Sequence, residues 1–76
     1  MAYSEKMRGA VKAVPAKTIG ARLARLAIKK GISVQEVAKR TGASRTTVYN
    51  WFLGGDVSNA YLPRVERLAA ELTAAV

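Results

Sequence analysis

The chain predicts an all-α fold: a compact domain of four to five helices built around a central helix-turn-helix. Three observations carry this expectation. Apolar residues recur at helical spacing in one segment after another, no segment alternates as a half-buried strand would, and Ser and Gly stand where helices would start and stop. No internal repeat or low-complexity tract interrupts the pattern.

Residues 1–16 read as a basic N-terminal arm or a short helix. Met7, Val11 and Val14 are spaced for a helix after Ser4, while Gly9 weakens it and Pro15 ends it. Residues 17–76 read as the helix-turn-helix domain proper. Its first helix is expected from Lys17 to Lys30, with Ile19, Leu23, Leu26 and Ala27 on one stripe and Arg22, Arg25 and Lys29 on the next. Lys29 and Lys30 suit the negative end of the helix dipole, and Gly31 suits the turn beyond it.

Ser33 opens a second helix. The stretch "SVQE" has the form of a capping box, in which Ser33 accepts from the Glu36 amide and the Glu36 side chain reaches back. Val34, Val37, Ala38 and Thr41 line one face until Gly42 stops the helix. Ser44 caps a third helix, Arg45 to Leu53, ended by Gly54-Gly55. A last amphipathic helix carries Leu62, Val65, Leu68, Ala69 and Leu72, with Pro63 tolerated in its first turn.

Composition narrows the function. The 76 residues contain no Cys and no His, which excludes disulfides and Cys/His metal sites. A reducing cytoplasm therefore suits the chain better than secretion. The basic start "MAYSEKMRGAVKAV" lacks the apolar core of a signal peptide, and no apolar run approaches a membrane span. Net charge is +8 and lopsided: residues 1–32 hold eight Lys/Arg against one Glu, and residues 33–76 hold five against four acids. Such an excess points to a polyanionic partner, with nucleic acid favoured over a solvated tail. Catalysis has little support, because the five carboxylates are scattered and no His or Cys is present to serve as base or nucleophile. No cofactor and no metal is expected.

Two short helices joined by a tight turn form a helix-turn-helix. That geometry needs a small residue at Ala38, positive φ at Gly42 and an apolar plug at Val48, and each stands in place. Glu36, Val37, Ala38, Gly42, Ser44, Thr47, Val48, Trp51 and Gly54 carry a likeness to a known family, together with the flanking helices. Residues 18–74 resemble the Cro and phage-repressor (XRE-like) helix-turn-helix domains, with a lambda-repressor-like fold. The resemblance implies that the helix from Arg45 lies in the DNA major groove, with Arg45, Thr46 and Asn50 reading bases and Tyr49 between them. It implies a phosphate contact at Ser44. One departure stands out: many members carry Gln at the first position of the second helix, where this chain has Val34, and Gln35 follows as the replacement.

Residue chemistry gives a parallel reading. On a helical wheel Val48, Trp51 and Phe52 share one side, leaving Thr46, Tyr49, Asn50 and Leu53 opposite and Arg45 at the boundary. Arg can fork onto guanine, Asn onto adenine, and Thr or Tyr can touch phosphate or a thymine methyl. Trp51 and Phe52 read as core in preference to base-stacking platforms. Gln35, Lys39, Arg40 and Thr47 join Ser44 as expected backbone contacts, with Lys17 and Arg22 extending them. The Arg22/Arg25/Lys29 stripe also fits a plain solvated face. Arg64 and Arg67 are expected to pair with Glu71.

The expected function is sequence-specific binding of double-stranded DNA by a transcriptional regulator, a repressor of phage, plasmid or bacterial genes. Such domains commonly bind as homodimers on half-sites about one helical turn apart, and if the chain is part of a larger protein, tandem binding on direct repeats is open, with a role in plasmid maintenance or transfer. The rival classes are a helical protein-interaction module, a membrane-surface binder and an RNA binder.

Overall fold

The structure, a computed structural model, describes residues 4–74. Residues 1–3 and 75–76, and with them the outer part of the basic arm and the tip of the apolar terminus "LTAAV", lie outside the described residues. Five helices follow one another: α1 Glu5–Ala13, α2 Ile19–Lys30, α3 Val34–Thr41, α4 Arg45–Phe52 and α5 Leu62–Ala74. Among the described residues there is no strand, and no helix is long and apolar enough to cross a membrane.

Local chemistry sets the boundaries. Ser4, Thr18, Ser33 and Ser44 each accept a hydrogen bond from the amide three residues on, so four helices begin on a side-chain cap. The cap at Thr18 starts α2 at Ile19, leaving Lys17 outside the helix that the periodicity alone would have extended to it. At the other end of the motif, α4 stops at Phe52 and Leu53 becomes its C-cap. Gly42, at φ 76°, closes α3 in the left-handed conformation, and its N–H and that of Ala43 both donate to the Ala38 carbonyl.

α2 is the hub, packed against α1, α4 and α5, while α3 packs against α4 and α5. Leu23, Ala24 and Ala27 of α2 meet Val37, Val48, Trp51, Phe52, Val65 and Leu68 in one core. Burying each of the larger of these side chains contributes roughly 1.5–3 kcal/mol. Val11 belongs to the same core at 1% exposure, which is why residues 5–13 hold a helix despite Gly9. Thr41 is the buried polar side chain among the described residues, and its hydroxyl donates to the Val37 carbonyl at 2.8 Å.

Two expected pairings take other partners. Glu36 does not close a reciprocal capping box: its carboxylate meets Arg40 Nε at 2.9 Å, one helical turn on. The charged guanidinium is a stronger partner for a carboxylate than a neutral amide. Arg67 reaches Glu71 at 3.5 Å, but Arg64 turns to α3 and donates to the Thr41 carbonyl at 3.2 Å. A carbonyl at a helix C-terminus has no intrahelical donor, so the cation suits it on both counts.

Candidate nucleic-acid interface

α4 stands on a rigid apolar base. Val48 and Phe52 are fully buried and Trp51 is 2% exposed, its indole inclined to the Tyr61 ring at a centroid distance of 5.6 Å. Burial of both aromatics fits their role as core. Behind Trp51, α2 presents Gly20, where an added β-carbon would lie 2.8 Å from the Trp51 β-carbon and carbonyl oxygen. A helix-interior glycine is costly in itself, and here it marks the closest approach of two backbones.

The opposite side of α4 is solvent-exposed and carries Arg45, Thr46, Tyr49, Asn50 and Leu53, with Tyr49 at 43% and Leu53 at 49%. These are the described large apolar side chains that the fold leaves open, on a single helix face. The four side chains expected to read bases thus lie together. Asn50 contributes only its backbone to the fold, its carbonyl accepting from the Gly55 amide at 2.7 Å.

The expected backbone contacts divide into groups. At the start of α4 the Ser44 hydroxyl accepts from the Thr47 amide and shares a 2.9 Å hydrogen bond with the Thr47 hydroxyl. Gln35 is exposed and joins Arg45 and Tyr49 in lining a hollow of about 350 Å³, while Val34 is buried. Lys39 is exposed on α3. Arg40 is half-committed to Glu36, whose carboxyl it holds below the ordinary carboxylate range through their hydrogen bond. Lys17 lies at the other end of α4, beside Leu53 and Gly54. Arg22 is further from this group in role: its Nε donates to the Ala16 carbonyl at 3.4 Å, and Arg25 binds the Val14 carbonyl at 3.0 Å. These two cations tie the α1–α2 connection down.

α1 borders this face, a placement that the sequence reading did not anticipate. Ser4 and Met7 share the hollow with Arg45 and Tyr49, and Ala13 and Val14 share another with Leu53 and Gly54. The start of α1 therefore borders the hollow at Arg45 and Tyr49, and the end of α1 borders Leu53 and Gly54, while α1 itself packs on α2. The Met7–Val11 spacing signalled a buried helix face, but nothing local says which helix it covers.

Helices α3 and α4, joined through the turn Gly42–Ala43–Ser44 and braced by α2, make a helix-turn-helix domain. A family model described as a homeodomain-like domain matches residues 21–56, a little under half of the chain, from the first turn of α2 to the loop after α4. That match supports the helix-turn-helix class at large and does not single out the Cro type. No curated protein and no solved structure matches the chain.

Proposed function

We propose that this domain binds double-stranded DNA sequence-specifically and regulates transcription, as a repressor of phage, plasmid or bacterial genes, working in the bacterial cytoplasm. The observation that carries the reading is the division of α4: one side is locked into the core by Val48, Trp51 and Phe52, and the other offers Arg45, Thr46, Tyr49 and Asn50 to solvent. A helix fits the major groove, where each base pair has its own donor and acceptor pattern. Asn50 and Thr46 reach base edges, and Arg45 and Tyr49 read beside them.

Ser44, Thr47, Gln35, Lys39 and Arg40 lie against phosphates flanking the groove, and Lys17 and Arg22 extend the contact past the far end of α4. The +8 charge supports a large phosphate contribution, so affinity falls steeply with salt. With Val34 buried, the exposed Gln35 is the candidate for the phosphate contact at the start of α3. Binding is as two copies on half-sites one helical turn apart, or as tandem copies on repeats.

Selection of bound sequences from a random duplex pool, followed by footprinting of the winner, tests the proposal. Enrichment of a common motif with protected major-groove positions is the expected result. A pool that never converges, or binding that single-stranded RNA displaces more readily than duplex DNA, overturns it.

A further inference from the structure

α1 has two flanks. One faces the Arg45–Tyr49 hollow; the other forms a groove of about 500 Å³ with α2, lined by Arg8, Val11, Lys12, Arg25, Ile28 and Lys29. Its walls are regular. Arg8 and Lys12 stand one helical turn apart on α1, and Arg25 and Lys29 stand one turn apart on α2, each pair spaced about 6 Å along its axis. Buried Val11 and the partly buried Ile28 form the apolar lining beside the two cationic rails, and no acidic side chain lines the groove. Arg25 is already held in place by the Val14 carbonyl, so one rail is partly preorganised.

We infer that this α1–α2 groove docks an acidic amphipathic helix of a partner protein. Such a helix lays apolar side chains spaced i, i+4 onto Ile28 and the aliphatic stems of the Arg and Lys side chains, and sets Asp or Glu against both rails. Charge complementarity selects this occupant. A second copy of this chain brings a net charge of +8 to a cationic groove, and its own α5 acids Glu66 and Glu71 stand among Arg64 and Arg67. A duplex supplies phosphates but nothing apolar to cover Ile28. The inference does not depend on the DNA reading.

The probe is a capped synthetic helix with leucines at i and i+4 flanked by glutamates, added to the full chain and followed by amide NMR and fluorescence anisotropy. The expected shifts centre on residues 8–12 and 25–29, with Thr46 and Asn50 unmoved. The Lys12→Glu/Lys29→Glu variant weakens binding at least about tenfold, as does replacing the peptide's two leucines by serine. A scrambled peptide of the same composition that binds equally, shifts centred on α4, or no binding at all overturns the inference. Displacement of the peptide by duplex DNA overturns it too, because the groove is then a phosphate surface.

Discussion

Gly20 of α2 and Trp51 of α4 meet with no room for a β-carbon: one built at Gly20 would stand 2.8 Å from both the Trp51 β-carbon and its carbonyl oxygen. The contact seats the exposed face of α4 at a set height above the core. Gly20→Ala therefore sets two effects against each other. Alanine is favoured by up to about 1 kcal/mol in a helix interior, while overpacking against backbone costs about 1–3 kcal/mol. The steric term wins here because a carbonyl oxygen cannot change rotamer. Urea unfolding is expected to show a net loss of stability of about 1 kcal/mol; a gain contradicts the contact.

Arg64 closes α3 by donating to the Thr41 carbonyl, and its Nη1 lies 2.9 Å from a β-carbon built at Gly42. Gly42→Ala meets both the left-handed backbone and this guanidinium, so a loss of about 1–2 kcal/mol is expected. Arg64→Met keeps most of the stem and removes the donor, for a smaller loss of about 1 kcal/mol. Chemical denaturation of both variants checks the order, and a larger effect from Arg64→Met reverses it.

The Ser44 hydroxyl both caps α4 and stands where a phosphate is proposed. Ser44→Ala is expected to cost about 1 kcal/mol of stability and also to weaken DNA binding, whereas Ser44→Asp keeps a cap acceptor but repels phosphate. Thermal melts beside binding titrations separate the roles: Ser44→Asp retains stability and loses affinity. Equal affinity in the parent and Ser44→Asp removes the phosphate contact.

The Glu36–Arg40 pair gives a pH-dependent term of known sign. Arg40 lowers the Glu36 pKa in the folded state, so the pair's stabilisation is present above the ordinary carboxylate range and is lost as pH falls through the lowered folded value. Glu36→Gln removes that term and frees the Arg40 guanidinium. The variant is expected to bind duplex DNA more tightly, with a steeper salt dependence, than the parent. Unchanged affinity and slope exclude Arg40 from the phosphate surface.

Much of the fold was legible because it is written in short-range chemistry. Ser33, Gly42 and Ser44 lie within a turn of the helix ends they define, and the Val48–Trp51–Phe52 spacing separates the buried from the exposed side of α4 with no knowledge of the neighbours. What escaped depends on distant parts of the chain. Arg64 and Thr41 lie 23 residues apart, so the local Glu71 was the natural partner to expect. Gly20 reads in isolation as a weak spot in α2, and only Trp51 gives it a purpose. The position of α1 beside Tyr49 escaped for the same reason: Met7 and Val11 signal burial, not against what. Arg45, Thr46, Tyr49 and Asn50 were nominated from the exposed side of α4 and from the family likeness, whereas of the proposed backbone contacts Arg40 borders α5 and Arg22 the α1–α2 connection.

The central claim is that the exposed side of α4 reads base pairs, and Asn50→Ala tests it most directly. The side chain can be removed with little effect on the fold, since Asn50 is exposed and the Gly55 amide binds its backbone carbonyl. Anisotropy titrations of parent and variant should compare the selected duplex with a scrambled one at fixed salt. The account predicts a loss of about 1–3 kcal/mol on the selected duplex, relaxed preference at one base pair, and no change on the scrambled one. Identical titration curves for the two proteins on both duplexes would contradict it.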